Sequence, residues 1–206
     1  MGRYTGPKNR IARRLGVNIF GRKRNPMLHK QNPPGVHGAR RKKKSDFGIQ
    51  LEEKQKLKAV YGMLREHQLL KYYQKAVNQE GNVVSNLLRQ LECRLETVVY
   101  RLKIAPTIFG AQQLVAHGHI QVNGKKVDIR SFQVKPGMVV SVKEKSREMK
   151  SIKESIEDGS RTVPEYLSAE PEKFSGSLLA NPETDSISFP LEINMPVICD
   201  FLAHTN

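Results

Sequence analysis

The first 44 residues carry 14 lysines and arginines and not one aspartate or glutamate. Charge of one sign at this density repels itself in a compact fold unless a polyanion supplies the opposite charge. Pro26, Pro33 and Pro34 also interrupt any long helix in the segment. We therefore predict an extended basic arm with short turns that becomes ordered on its partner.

The remaining charge is also unevenly distributed along the 206 residues. Residues 45–156 have a net charge of +8 and residues 157–206 a net charge of −7, against +15 for the whole chain. A phosphate backbone is the partner that this pattern favours. Binding to an anionic membrane would require an amphipathic basic helix, which the sequence does not predict. The sequence also contains no apolar run of about 18 residues and no pattern of a signal peptide. We expect a cytoplasmic protein with no membrane partner.

Two cysteines, Cys93 and Cys199, lie far apart and in no metal-binding spacing, so we expect reduced, buried thiols. The sequence His117-Gly118-His119 raises the possibility of a metal or catalytic site. A zinc site needs three or four donors, and neither Cys93 nor Asp128 stands at a recognisable spacing from these histidines. Phosphate-binding glycine loops and nucleophile elbows are also absent from the sequence. We predict no metal, no cofactor and no small-molecule substrate.

Apolar spacing predicts helices in the first half of the chain. Ser45 and Asp46 are placed to cap one helix. A stripe of leucines and valines predicts a further single helix across LLRQLECRLETVVYRL. Thr107 is placed to cap a short helix that ends at Gly118.

Short strands are predicted to follow these helices. Residues 119–122, the Asn123-Gly124 turn and residues 125–129 indicate a hairpin, and valines at 139–142 another strand. Ser146 begins a last predicted helix through Ile156, while the acidic tail has no elements that we could assign.

The segments RLETVVYRL, QLVAHGHIQVNGKKVDI and SFQVKPGMVVSVKEKS resemble the RNA-binding module named after small-ribosomal-subunit protein four. The flanking segments RYTGPKNRIARRLG and GNVVSNLLRQLECRLETVVYR resemble that ribosomal protein family itself, in its bacterial or organellar form. The likeness is clear over about residues 3–165.

This resemblance implies an α+β protein with an all-helical domain and an inserted module of helices and antiparallel sheet. The expected limits are a basic arm at 1–44, a helical domain at 45–93 completed by about 185–206, the module at 94–156 and an acidic extension at 157–206. The resemblance also implies a non-enzymatic constituent of the small ribosomal subunit, most simply of a bacterial ribosome. Such a protein would bind small-subunit ribosomal RNA early in assembly, contact neighbouring ribosomal proteins and the messenger RNA where it enters, influence decoding fidelity and possess the capacity to repress its own translation.

Candidate RNA-binding residues fall into two groups, in the arm and in the module. Arginine and lysine are chosen because they bind phosphate, and the tyrosine, histidines and glutamine because they donate to phosphate or sugar. The candidates are Arg3, Tyr4, Lys8, Arg10, Arg13, Arg14, Arg22, Lys23, Arg24, His37, Arg40, Arg41, Lys42, Lys43, Lys44, Arg94, Arg101, Gln113, His117, His119, Lys125 and Lys126.

Two other functions remain open from sequence. The module also occurs in RNA-modifying enzymes and their accessory proteins, and a dedicated translational repressor would show the same charge pattern. Two positions depart from the family's pattern: Ile108 follows the capping Thr107 where an arginine is usual, and Gln112 stands where a basic residue is common. From this we expect the start of that helix to hold RNA less tightly and the arm to compensate.

Overall fold

The computed structural model describes residues 4–22, 24–40 and 43–204. The chain forms two compact units, one from Met1–Asn78 with Phe189–Asn206 and one from Gln79–Ser188. We call the first the helical unit and the second the module unit. The described residues contain eight α-helices and one five-stranded antiparallel sheet, which confirms the predicted α+β class.

The basic segment contains the first helix, α1 (Lys8–Leu15). Pro7 precedes this helix with extended backbone, and Gly16 ends it with a φ of 71° in the left-handed region that glycine adopts without strain. Ala12, Ile19 and Phe20 are each at most 5% exposed. The segment is therefore not extended throughout, because three apolar side chains provide a surface that folding can bury.

The rest of the helical unit consists of α2 (Asp46–Val60), α3 (Glu66–Val77) and α8 (Met195–Ala203). Ser45 caps α2 as predicted, since its Oγ accepts a hydrogen bond from the Gly48 amide at 3.2 Å. Asn194 caps α8 in the same way through the Val197 amide. The core comprises the fully buried side chains Leu57, Leu69, Ala76, Ile198 and Leu202.

The module unit begins with α4 (Val83–Glu92), α5 (Leu95–Arg101) and α6 (Ile108–Ala116). The prediction of one helix across LLRQLECRLETVVYRL was wrong. Arg94 has extended backbone, the Leu95 amide donates to the Phe132 carbonyl at 2.8 Å, and the Cys93 carbonyl accepts from the Val134 amide at 2.8 Å. The chain breaks the helix here because residues 132–134 offer the backbone other hydrogen-bond partners. α4 lies in the module unit.

The sheet has the strand order β2-β1-β3-β5-β4 with every neighbouring pair antiparallel. Its strands are β1 (Ile120–Val122), β2 (Lys125–Lys126), β3 (Val139–Val142), β4 (Leu167–Glu170) and β5 (Ser175–Leu178). Asn123 and Gly124 have φ of 49° and 76°, the left-handed values that the predicted hairpin turn requires. β2 is shorter than predicted, since it ends at Lys126 rather than at residue 129.

The acidic tail contributes β4 and β5, which the sequence did not reveal. The helix expected from Ser146 instead begins as a 3-10 turn, Glu144–Ser146, followed by α7 (Lys150–Glu157), and α8 rather than α7 is the last helix.

Glu92 is fully buried in the module unit. Arg101 donates to both of its oxygens, from Nε at 3.1 Å and from Nη2 at 2.7 Å, and the Tyr166 hydroxyl donates at 2.9 Å. Burial, and then the neighbouring carboxylate, raises the pKa of the Tyr166 phenol, so it keeps its proton and remains a donor. This cluster joins α4, α5 and the segment that leads into β4.

Ile108 and Gln112, the two departures from the family's pattern, lie inside the module unit. Ile108 is 3% exposed and Gln112 is 8% exposed. Gln112 hydrogen-bonds Glu96, itself 2% exposed. The expectation that Ile108 weakens an RNA contact is therefore not supported, because this position faces the core.

Replacing Glu92 with alanine should lower the free energy of unfolding by about 3–5 kcal/mol, because the Arg101 guanidinium loses its buried partner. Thermal or urea unfolding of the whole chain would measure the change. Glu148→Ala is the control, since the Glu148 side chain is 84% exposed and pairs with Lys153 at the surface. Equal effects in the two variants would contradict the prediction.

Replacing Ile108 with arginine should also destabilise the module unit, by about 3 kcal/mol or more, because an unpaired guanidinium would be buried. Ala116→Arg places the same charge at an exposed position of the same helix and should be nearly neutral. Urea unfolding of both variants tests this. A stable Ile108→Arg protein with stronger RNA binding would restore the original expectation.

Candidate nucleic-acid interface

The sequence His117-Gly118-His119 is the joint between α6 and β1. The His119 amide donates to the Leu114 carbonyl at 3.0 Å and the Gly118 amide to the Val115 carbonyl at 2.9 Å, which is the paired bonding of a Schellman helix end. Gly118 has a φ of 73°, as this motif requires. The prediction that Gly118 ends the helix is confirmed.

Glycine at position 118 also makes room for a hairpin lysine. A Cβ at this position would lie 2.2 Å from Cε of Lys126 and 3.0 Å from its Nζ. The Lys126 side chain therefore extends over Gly118 and brings its ammonium group to the joint. Its Nζ also lies 4.0 Å from Oδ2 of Asp128, and both side chains are 59% exposed, so this surface pair leaves the ammonium accessible to solvent.

The two hairpin lysines lie on opposite faces of the sheet. Lys126 is opposite Gln121, whereas Lys125 is opposite Val122, and side chains directly opposite each other in a ladder share a face. Val122 and its other partner Val140 are buried, so theirs is the core face. We call the face that carries Gln121 and Lys126 the outer face. Sequence reasoning treated the two lysines as equivalent and did not single out Gln121, although its place between Ile120 and Val122 signals an outward position.

The two histidine side chains lie side by side at the joint, with ring centroids 6.1 Å apart. His117 is exposed, as is Gln113 one turn earlier on α6. His119 is partly buried, and its Nδ1 lies 2.9 Å from Oγ of Ser146. Within the described parts of the chain, no group of three or more His, Cys, Asp or Glu side chains is arranged to hold a metal ion. The arrangement instead offers several hydrogen-bond donors and a cation on one exposed surface.

Two candidate arginines of the module form ion pairs with buried carboxylates within the chain. Arg94 is 2% exposed, and its Nε donates to Oε1 of Glu96 at 2.9 Å. Burial raises the pKa of Glu96, while the charge and hydrogen bond of Arg94 act in the opposite direction. Arg101 bonds Glu92 and donates through Nη1 to the Ser188 carbonyl at 2.9 Å. This placement argues against a direct RNA contact by either guanidinium.

Some of the arm's candidates also make contacts within the chain. Arg13 donates to the Asn32 carbonyl from Nε at 3.1 Å and from Nη2 at 2.8 Å, which holds the following loop against α1. Arg22 donates to Asn9 Oδ1 at 2.6 Å, Arg24 lies 3.5 Å from a ring nitrogen of His29, and Lys44 pairs with Glu52.

The remaining described arm candidates differ in exposure. Arg10, Arg14, His37, Arg40 and Lys43 are exposed, and Tyr4 and Lys8 are partly buried. Four candidates, Arg3, Lys23, Arg41 and Lys42, lie outside the described residues.

The two thiols lie in different units and are both free. Burial raises the pKa of Cys93 and of Cys199 to about 11, so neither is a thiolate nucleophile near neutral pH. Cys93 is buried as predicted, whereas Cys199 is partly exposed. Among the described helices, none has the length and apolarity that crossing a membrane requires.

Comparison with known families gives two adjoining matches. The model described as "Ribosomal protein S4/S9 N-terminal domain" matches residues 3–92, and the "S4 domain" model matches residues 93–140. The second match spans α5, α6, the hairpin and the start of β3.

Full-length relatives agree with these matches. "Small ribosomal subunit protein uS4" of Protochlamydia amoebophila (strain UWE25) is 69% identical over 205 residues, which cover 100% of both chains. The proteins of the same name from Chlamydia muridarum (strain MoPn / Nigg) and Chlamydia caviae (strain ATCC VR-813 / DSM 19441 / 03DC25 / GPIC) are 59% and 56% identical over 207 residues, 99% of each chain. The chain belongs to the uS4 family of small ribosomal subunit proteins, and it is a structural ribosomal component rather than an enzyme.

Proposed function

We propose that this protein binds small-subunit ribosomal RNA directly. The contacts are made by exposed lysine and arginine side chains of its first 44 residues and by the outer face of the module. The observation that carries the proposal is a division among the candidate RNA-binding side chains of the module unit. Arg94 and Arg101 are paired with buried carboxylates, while Lys126, Gln113 and His117 are exposed around one joint.

Phosphate neutralisation would supply most of the affinity. Each lysine or arginine that contacts a phosphate releases a counterion, so binding weakens steeply as salt rises. Folded RNA is recognised through its shape, its backbone and its 2′-hydroxyls. His117, His119 and Gln113 provide donors and acceptors for such contacts beside the Lys126 charge. Gly118 leaves space for the lysine side chain here, and its φ of 73° is one that other residues rarely adopt.

The finer roles rest on the family resemblance. We propose that the protein joins the small subunit early in assembly in the bacterial cytoplasm. There it contacts neighbouring ribosomal proteins and lies where messenger RNA enters, with an effect on decoding fidelity. Repression of its own messenger would use the same RNA-binding surfaces.

Lys126→Ala should weaken binding to small-subunit ribosomal RNA transcribed in vitro more than Lys125→Ala does. Removing one phosphate interaction lowers the slope of log affinity against log salt by about 0.9 on duplex DNA, and we expect a similar fall on folded RNA. The two variants remove the same charge from adjacent positions, so they differ only in the face of the sheet they affect. Filter binding at several salt concentrations measures the slope, and equal slopes for the two variants would contradict the assignment of the outer face. If the parent protein failed to bind this RNA at all, the proposed function itself would be wrong.

The double variant Arg10→Gln, Arg14→Gln should lower the same salt slope by up to about 0.9 for each arginine that binds a phosphate, with little change in unfolding temperature. Deleting residues 1–44 is a poorer test, because it also removes the buried side chains of Ala12, Ile19 and Phe20. The control is Lys71→Gln, Lys75→Gln, which removes the same charge from exposed positions of α3. A slope that falls equally in both pairs would show a general charge effect and no specific role for α1.

A further inference from the structure

The residue after β3 lies directly beside His119. Ile120 is opposite Val142 in the ladder between β1 and β3, so the next opposing pair is His119 and Lys143. The Lys143 amide donates to the His119 carbonyl at 2.9 Å, which extends the pairing by one residue. Lys143 has φ of −57° and ψ of 136°, so its backbone is still extended.

Strand alternation then determines the face on which Lys143 lies. Ile120 and Val142 are both 0% exposed and belong to the core face. Neighbouring side chains along a strand point to opposite faces, so His119 and Lys143 belong to the outer face together with Gln121 and Lys126. Lys143 is exposed. The outer face therefore holds two lysines, one on each side of β1.

A side-chain hydrogen bond also attaches the turn that follows to the same histidine. Ser146 is 5% exposed, and its Oγ lies 2.9 Å from Nδ1 of His119. A buried hydroxyl without a partner is costly, so this contact stabilises both the turn and one orientation of the imidazole. The turn Glu144–Ser146 is thus joined to His119 at two points, through the backbone of Lys143 and the side chain of Ser146.

We propose that Lys143 binds an RNA phosphate as part of the surface formed by Lys126 and His119, and that Ser146 is a positioning residue that orients the His119 ring for the same RNA. This inference rests on the proposed function, since it adds residues to that binding surface. The other charged residues here lack a place in the ladder: Glu144 and Lys145 lie within the 3-10 turn itself, and Arg147 donates from Nε to the Val142 carbonyl at 3.3 Å. Lys143 is the cation that the ladder places on the outer face.

The first test compares Lys143→Ala with Lys135→Ala in the full-length protein. Lys135 is exposed and lies before β3, at the opposite end of that strand, so it is a control of equal charge. Filter binding to small-subunit ribosomal RNA transcribed in vitro gives affinity as a function of salt. Lys143→Ala should lower the log-log slope by about 0.9, and Lys135→Ala should leave it nearly unchanged.

The second test is a double-mutant cycle between Ser146→Ala and His119→Ala, measured on the same RNA. Ser146→Ala should weaken binding roughly threefold to tenfold at fixed salt, as expected for one hydrogen bond, without changing the salt slope because no charge is removed. If Ser146 acts through His119, the double variant should bind no more weakly than His119→Ala alone. Ser146→Thr retains a hydroxyl and should restore binding toward that of the parent.

These outcomes separate the inference from the function on which it rests. A parent protein that binds the RNA, together with an unchanged slope in Lys143→Ala, would overturn the Lys143 contact alone. Additive losses in the cycle would overturn the positioning role of Ser146. A parent protein that does not bind would overturn the proposed function. Unfolding temperatures of all variants, measured in parallel, show whether any loss of binding reflects loss of the fold.

Discussion

The buried carboxylate of Glu92 is the interaction on which the module unit most depends. It lies at the end of α4, is 0% exposed, and is bound by a guanidinium from α5 and by the Tyr166 hydroxyl just before β4. A buried charge is tolerated only when it is paired and hydrogen-bonded, so the Glu92 carboxylate can stay in the core only while these three elements are together. The cluster thereby joins the helices of the module to the strands supplied by the acidic tail.

Buried ion pairs also keep some basic side chains of the module unit away from the proposed RNA-binding surface. Arg94 and Arg101 satisfy Glu96 and Glu92 inside the module unit. Arg161 donates to the carbonyls of Tyr100 and Ala105 at 3.2 and 3.0 Å and stacks over the Tyr100 ring. Arginine suits these positions because its planar guanidinium group can donate hydrogen bonds to several acceptors at once. The proposed RNA surface of the module is left mainly to lysine, glutamine and histidine.

Local signals in the sequence predicted much of the fold. The Ser45 and Thr107 caps, the left-handed Gly118 and the Asn123-Gly124 turn each depend on one or two residues and their own backbone angles. The break between α4 and α5 could not be predicted in this way, since it depends on hydrogen bonds to residues 132–134, about forty positions away. β4 and β5 were missed because their weak alternation becomes a strand only through pairing with β3.

The order of amino acids alone establishes three properties of this protein: an acid-free basic segment, a module with a recognisable helix-to-hairpin joint, and membership of a ribosomal family. The order of amino acids does not reveal which basic side chains lie on the outer face of the sheet. Lys125 and Lys126 are adjacent and chemically identical, yet strand pairing places them on opposite faces. Lys143 is one lysine among many until the ladder sets it beside His119. Tertiary structure decided these assignments because exposure and neighbours depend on pairing between distant segments, whereas charge and turn preference belong to the residues themselves.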